Sequence, residues 1–198
     1  MKSKLILCLF VICLLLLFSG FASAYNLYDD NGKKYKWHRS YNNPVWVNAS
    51  SYNSSWQSVV NNSINNITSS GANFGFINQN GRIEVMMAAH ALYAAGNETG
   101  DPLGRTTYSS YTYYPSNQTF VLTASKIAIN TNKPWHTSGN STKSYNLPCT
   151  ISHELCHVAG LHHHNGTNSV MRPLLTMGEY RPFGSDDING LTAIYGRY

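Results

Sequence analysis

Two histidines four residues apart, His153 and His157, bracket Glu154 in the stretch HELCHVAGLHHHNG. On an α-helix, residues at i and i+4 lie one above the other, so both imidazoles project side by side from one face. Two neutral imidazoles held that way can share one zinc ion at about 2.0–2.1 Å. Glu154 adjoins the first of them but is rotated off the metal axis. There it can hold and deprotonate a water on the metal instead of binding the metal itself. A catalytic zinc also needs a third protein ligand and one open position. Gly160 allows a positive φ just past the helix end, after which a third histidine can swing back. The pattern His-Glu-x-x-His-x-x-Gly-x-x-His selects His163, and its full length is far more specific than its first half. His162 and His164 are then neighbours, at most donors to the site or contacts for a substrate. Two bland readings stay open: ordinary helix-surface histidines for His153 and His157, and a loose metal-binding tract for the triplet. His38, His90 and His136 stand alone and read as surface or core residues.

The pair needs a helix, and the flanking residues supply its signals. Pro148 is tolerated only in a first turn, and Asn146 is a suitable cap. The helix is therefore expected from Leu147 to about Ala159, with Leu147, Ile151 and Leu155 as its apolar face. A second helix is expected over Ser51 to Ile67, where Trp56, Val59, Val60, Ile64 and Ile67 recur at helical spacing. Strands are expected at Val45–Val47, Phe74–Ile77, Arg82–Ala89, Leu103–Tyr114 and Phe120–Asn130. The Arg82–Ala89 strand should be mostly buried, because its second half is continuously apolar. The Leu103–Tyr114 strand is partly polar on both faces, as an edge strand would be. Residues 25–43 read as polar and turn-rich, with a turn at Asn31-Gly32, while Tyr93–Pro102 reads as a loop and Thr131–Tyr145 as a linker.

The first 24 residues have a different character. Lys2 and Lys4 precede an apolar run from Leu5 to Phe18, which ends in Ala22-Ser23-Ala24. That is the layout of a secretory signal peptide cut after Ala24; an uncut membrane anchor is the rival reading. Residues 25–198 are then one exported, extracellular domain with no stable membrane association, expected to be monomeric. The chain carries a formal net charge of +5, but its Lys and Arg are scattered and form no cluster interleaved with aromatics. Nucleic acid is therefore not an expected partner. With the leader gone, Cys149 and Cys156 are the cysteines that remain. Seven residues apart on one helix they are separated by about 10 Å, beyond the roughly 7 Å that a disulfide can bridge. Two buried free thiols are expected. The Asn-x-Ser/Thr sequons follow from a composition rich in those residues, and the one at Asn165 is too close to His163 to be expected to carry a glycan.

Three segments together resemble the metzincin zinc peptidases, and within them the matrixins: HELCHVAGLHH, Ser169-Val170-Met171-Arg172-Pro173, and DDINGLTAIYG from Asp186 to Gly196. Met171 lies eight residues after His163, where the family places its methionine turn, and the Met-x-Pro form is matrixin-like. The resemblance implies an α+β, zincin-like domain: a twisted, mixed but mostly parallel sheet with helices, an active-site helix, and a smaller C-terminal subdomain. It implies one catalytic Zn2+ on His153, His157 and His163, with Glu154 as the catalytic residue and Met171 beneath the metal. KIAINTNKPW is similar to the last sheet strand of the family. Leu103-Gly104-Arg105-Thr106 is similar to the edge strand that lines the substrate cleft, which makes Gly104 and Arg105 substrate-binding residues. Ile188, Leu191 and Ile194 should form the buried side of the last helix. The implied activity is that of a secreted endopeptidase acting on polypeptides through a zinc-bound water activated by Glu154. The residues after Met171 should shape the pocket for the side chain following the scissile bond, with Leu174, Leu175 and Met177 favouring an apolar one. A PRCGxPD-like latency motif is absent from the sequence, as are the histidine- and aspartate-rich loops of animal matrixins. Structural Ca2+ or a second zinc is therefore left open. Three other readings also remain at this point: an inactive exported binding module, a zinc hydrolase of non-peptide amides, and a surface protein with incidental histidines.

Overall fold

A computed structural model describes residues 25–27, 32–79, 81, 84–89, 102–139, 141–167 and 169–198. The expected leader and its cleavage site, Asn31, most of the expected loop before Pro102, and His90 lie outside these residues. The chain runs β1 (Lys34–Trp37), β2 (Val45–Asn48), α1 (Ser54–Thr68), β3 (Phe76–Asn78), β4 (Val85–Ala89), β5 (Gly104–Tyr114), β6 (Thr119–Ile129), β7 (Trp135–His136), β8 (Tyr145–Asn146), α2 (Leu147–Val158) and α3 (Ser185–Tyr195).

β6 organises the sheet. β1 and β4 pair with it in parallel, in tandem along one side, while β5 pairs antiparallel along the other. β2 follows β4, and β3 closes the far edge, both in parallel. This is the α+β architecture with a mostly parallel sheet that the sequence led us to expect. α1 and α2 pack on each other over the sheet, and their apolar stripes meet Val45, Val47, Val85, Met87, Ile127 and Ile129 in one core.

Several boundaries moved for identifiable reasons. α1 starts at Ser54 because the Asn53 side chain accepts a hydrogen bond from the Trp56 amide at 3.0 Å and caps the helix there. β4 is not buried throughout: Val85 and Met87 are fully buried while Met86 is 38% exposed, since one face of the strand meets the core and the other meets solvent. β3 begins at Phe76, leaving Phe74 as a fully buried ring before the strand. β1 was read as turn. Its Lys-Tyr-Lys-Trp alternation becomes a strand only through pairing with Thr119–Leu122, far away in sequence. Gly32 does turn, with φ of 72°. The expected linker contains the short β7–β8 pair. In α3 the buried residues are Asp187, Gly190 and Leu191; Ile188 is half-buried, and Ile194 packs partly buried against the core.

α2 begins and ends where its sequence signals fall. Asn146 Oδ1 accepts from the Cys149 amide at 3.0 Å, with Pro148 in the first turn. The Asn146 amide is itself fixed by His136 Nε2 at 3.2 Å, and His136 Nδ1 lies 2.9 Å from Ser144 Oγ. Leu147, Ile151 and Leu155 are fully buried, and Cys149 and Cys156 are buried and free. At the other end the Gly160 amide bonds the His157 carbonyl at 2.9 Å and the Leu161 amide bonds the Cys156 carbonyl at 3.0 Å, a Schellman arrangement. Gly160 has φ of 96°, and a Cβ there would sit 2.1 Å from the Tyr35 carbonyl oxygen. Gly160→Ala is therefore expected to cost about 2–3 kcal/mol or more. For a chain of this size that lowers the thermal midpoint by roughly 5–10 °C, measurable by calorimetry; an unchanged midpoint would show that the turn tolerates a side chain.

Candidate metal centre

The last two turns of α2 carry His153 and His157, and the reversal at Gly160 returns the chain with His163 facing them. Nε2 of His163 lies 3.1 Å from Nε2 of His153 and 3.1 Å from Nε2 of His157. The ligand atoms of all three lie within 4.8 Å of one another. Tetrahedral bonds of about 2.0–2.1 Å would place such nitrogens roughly 3.3 Å apart, so the trio fits a single zinc. The opposite ring nitrogens of the helix pair are already committed. His153 Nδ1 lies 2.8 Å from the Val170 carbonyl, and His157 Nδ1 lies 2.8 Å from the Leu161 carbonyl. A carbonyl only accepts, so each Nδ1 carries the proton and each Nε2 presents a lone pair. Burial, and then the neighbouring imidazoles, push His153 down to about 4 and His157 well below the usual histidine range. Both stay neutral at physiological pH, the form that binds metal.

The three histidines of the triplet do different things. His163 faces the pair. The His162 amide bonds the Asn26 carbonyl at 2.9 Å, an isolated bridge that ties Asn26 to this loop. His164 takes a hydrogen bond from the Gly166 amide at Nδ1, 2.9 Å, which leaves Nε2 to donate to Ser169 Oγ at 2.8 Å. Ser169 in turn donates to Asp187 Oδ1 at 2.5 Å and accepts from the Met171 amide at 2.8 Å. Asp187 Oδ2 also receives the Val170 amide at 3.0 Å and the Gly184 amide at 2.9 Å. A fully buried carboxylate on α3 thus fixes the turn at Met171, itself fully buried, and that turn supplies the carbonyl that orients His153.

Asp187 was missed by sequence reading, which took its segment as an amphipathic helix. The available signal was an acid in the first turn just after Gly184, where it can reach exposed amides. Thr106 and Tyr108 were also missed, because only the placement of β5 beside α2 reveals them. The Thr106 hydroxyl lies 2.7 Å from Glu154 Oε2 and 3.0 Å from the Glu154 carbonyl; Tyr108 donates to the His157 carbonyl at 2.8 Å.

Glu154 is 4% exposed, and burial lifts its carboxyl to about 7 against the lowering effects of the Thr106 hydroxyl and the Arg105 charge. Gly104 lies against it: a Cβ at that position would meet Glu154 Oε1 at 2.7 Å. Gly104 and Arg105, the two strand residues singled out from the sequence, line the same cleft as the three histidines and Glu154, with a volume of about 670 Å³. The cleft is also lined by Tyr145, Cys149, Thr150, Leu174, Leu175 and Arg181. There the Arg181 guanidinium is held by Glu179 at 2.6 and 2.8 Å and by the Arg172 carbonyl at 2.9 Å.

Metal affinity should sort these residues. Replacing His163 by Ala should abolish stoichiometric zinc binding in a chelator-competition titration, whereas His162→Ala should stay within a few-fold of the parent. Asp187→Asn, which touches no ligand, should weaken zinc about 10–100-fold by releasing the carbonyl that orients His153. Equal loss from His162→Ala and His163→Ala would mean the wrong register.

The matrixin family model matches residues 55–196, well over half of the chain. The matched span runs from the first turn of α1 to the residue after α3, and so takes in β5, the three converging histidines, Glu154, the turn at Met171 and Asp187. The chain therefore belongs to the matrixins, zinc-dependent metalloendopeptidases of the metzincin clan.

Proposed function

We propose that this protein is an exported endopeptidase in which His153, His157 and His163 hold the catalytic zinc and Glu154 handles the proton of the attacking water. The observation that carries the reading is the convergence of three Nε2 atoms beside a buried carboxyl, inside a cleft bounded by β5. Zinc bound to such a trio acts as a Lewis acid, polarising the scissile carbonyl and lowering the pKa of water toward neutrality. Thr106 occupies Oε2 of Glu154, so Oε1 is the oxygen available to accept the proton and later deliver it to the leaving amine. A divalent cation held by the three histidines would lower the Glu154 carboxyl below the value of about 7 set by its burial against the Thr106 hydroxyl and the Arg105 charge. The carboxyl is then ionised at neutral pH, ready to act as a base. Met171 packs beneath the site and holds the loop that presents the Val170 carbonyl.

Among the described residues β5 pairs only with β6, which leaves one strand edge for an extended polypeptide to join through main-chain hydrogen bonds. Gly104 and Arg105 sit where that added strand would pass the metal. The wall formed by Cys149, Thr150, Leu174, Leu175 and Arg181 then receives the side chain following the scissile bond. Arg181 is already neutralised by Glu179, which supports a preference for an apolar residue there. The leader-like first 24 residues support export with cleavage after Ala24. No helix among the described residues is long and apolar enough to cross a membrane.

Glu154→Gln should keep stoichiometric zinc yet cut an unbiased peptide library about 10²–10⁴-fold more slowly than the parent. Gly104→Ala should also lower kcat, because its methyl group displaces the Glu154 carboxyl. Undiminished cleavage by Glu154→Gln would remove the glutamate from the chemistry, and a zinc-loaded parent that cuts nothing would remove the peptidase reading altogether.

A further inference from the structure

The cleft does not stop at the metal centre. Tyr108 lines it and stacks on Tyr35 with ring centroids 4.5 Å apart; Tyr35 stacks on Phe120 at 5.0 Å. Phe120 then meets Tyr111 edge-on at 4.8 Å and Tyr113 at 4.6 Å. These rings come from β1, β5 and β6 and make one continuous aromatic surface, with the Lys33 ammonium over Tyr113 and Phe120. Its inner members are half-buried, but Tyr111 is 52% and Tyr113 40% exposed. Two large rings held that open at the end of a row of stacked ones are a surface with a face left to cover.

The backbone changes character at the same place. β5 pairs regularly with β6 from Gly104 to Tyr108, is irregular around Ser110, and pairs again from Tyr111 to Tyr114 in the original register. A bulge re-aims an edge strand and interrupts its use as a template for pairing. A polypeptide laid along β5 therefore meets an interruption of its main-chain partners just past Tyr108, where the exposed aromatic rings begin. We propose that Tyr35, Tyr108, Tyr111, Tyr113 and Phe120 form a remote substrate subsite, which takes an aromatic or other planar apolar side chain of the polypeptide well before the scissile bond. This rests on the function proposed above, in which the Arg172–Leu175 side of the cleft takes the residue after that bond. The rings then lie along the N-terminal arm of the substrate. Tyr108 is four residues and Tyr113 nine residues past Gly104 on the strand. An extended substrate advances at the same rise of about 3.3 Å per residue, so the subsite faces positions roughly four to nine before the bond. The continuity of the rings with the cleft, through Tyr108, is what selects the substrate over any other occupant.

The test measures binding with zinc-loaded Glu154→Gln protein and fluorescent peptides that share one core sequence. One peptide has three residues before the bond; the others have ten, with Trp or Gly at about the seventh. The long Trp peptide should bind about tenfold more tightly than the short one or the Gly peptide. That advantage should vanish when Tyr111→Ser and Tyr113→Ser are combined and survive when Tyr111→Phe and Tyr113→Phe are combined. Equal affinity of the long and short peptides for the parent overturns the proposal, as does an advantage that survives the serine changes. Sedimentation showing a dimer that the serine changes dissolve also overturns it, by giving the rings to a second copy of the chain. If the combined serine variant fails to fold, the single changes Tyr111→Ser and Tyr113→Ser decide: each should lose part of the Trp advantage, and an advantage undiminished in both overturns the proposal. Ring-dependent binding together with no cleavage of any peptide by the unmodified, zinc-loaded protein would sink the peptidase reading and leave the subsite standing.

Discussion

At the end of α2 the chain reverses at a glycine whose missing side chain would collide with the backbone of β1. That contact joins three parts of the molecule at one point. It brings the end of the active-site helix within van der Waals reach of the sheet, turns the following residues back toward the helix, and so delivers His163 to His153 and His157. The carbonyls exposed by the helix end are not left to solvent. Tyr108 bonds that of His157, Trp37 Nε1 that of Val158 at 2.9 Å, and Tyr195 that of Ala159 at 3.0 Å. A buried helix terminus without such partners would be strongly destabilising. Here β5, β1 and α3 each contribute one aromatic donor, so the turn that leads to His163 is clamped by three elements distant in sequence.

The same economy of buried polar groups explains the lower half of the site. Asp187 is fully enclosed, and burial raises its pKa above the ordinary carboxylate value. It is tolerable because three hydrogen bonds from Ser169, Val170 and Gly184 converge on it. Those bonds define the loop that carries Met171, and the loop's Val170 carbonyl sets the His153 tautomer. The histidine chemistry on α2 is thus set from α3, through a chain of bonds that each have a single sensible donor and acceptor.

How much of this was readable from the sequence depends on the range of the interaction concerned. The start of α2 is local: Asn146 and Pro148 sit within a turn of each other, and the residues that bond are the residues that signal. Gly160 and the register of His163 were readable for the same reason. α1 announced itself through three turns of apolar spacing. β1 did not, because two of its four residues are lysines and its stability comes from partners on β6. The partners that complete the site, Thr106, Tyr108, Ser169 and Asp187, are single polar residues whose roles exist only once β5 and α3 have docked. Nothing about a threonine in an edge strand distinguishes the one that bonds the buried Glu154 carboxyl. The alternation of Met86 against its neighbours in β4 shows the converse limit: a continuous apolar run reads as a mostly buried strand, while Met86 faces solvent.

β5 brings these strands of the argument together. Its first residues do the most constrained work in the fold: Gly104 must lack a side chain so that Glu154 can lie against the strand, Thr106 must reach that carboxyl, and Tyr108 must reach the end of α2. An edge strand held so firmly on its inner side has its outer edge preorganised, which lowers the ordering cost for anything that pairs with it. The bulge after Tyr108 limits how far that pairing can run, and also protects the exposed remainder of an eleven-residue edge strand from pairing with a second sheet. One irregularity in the ladder thus separates a segment that reads backbone from a segment that presents rings.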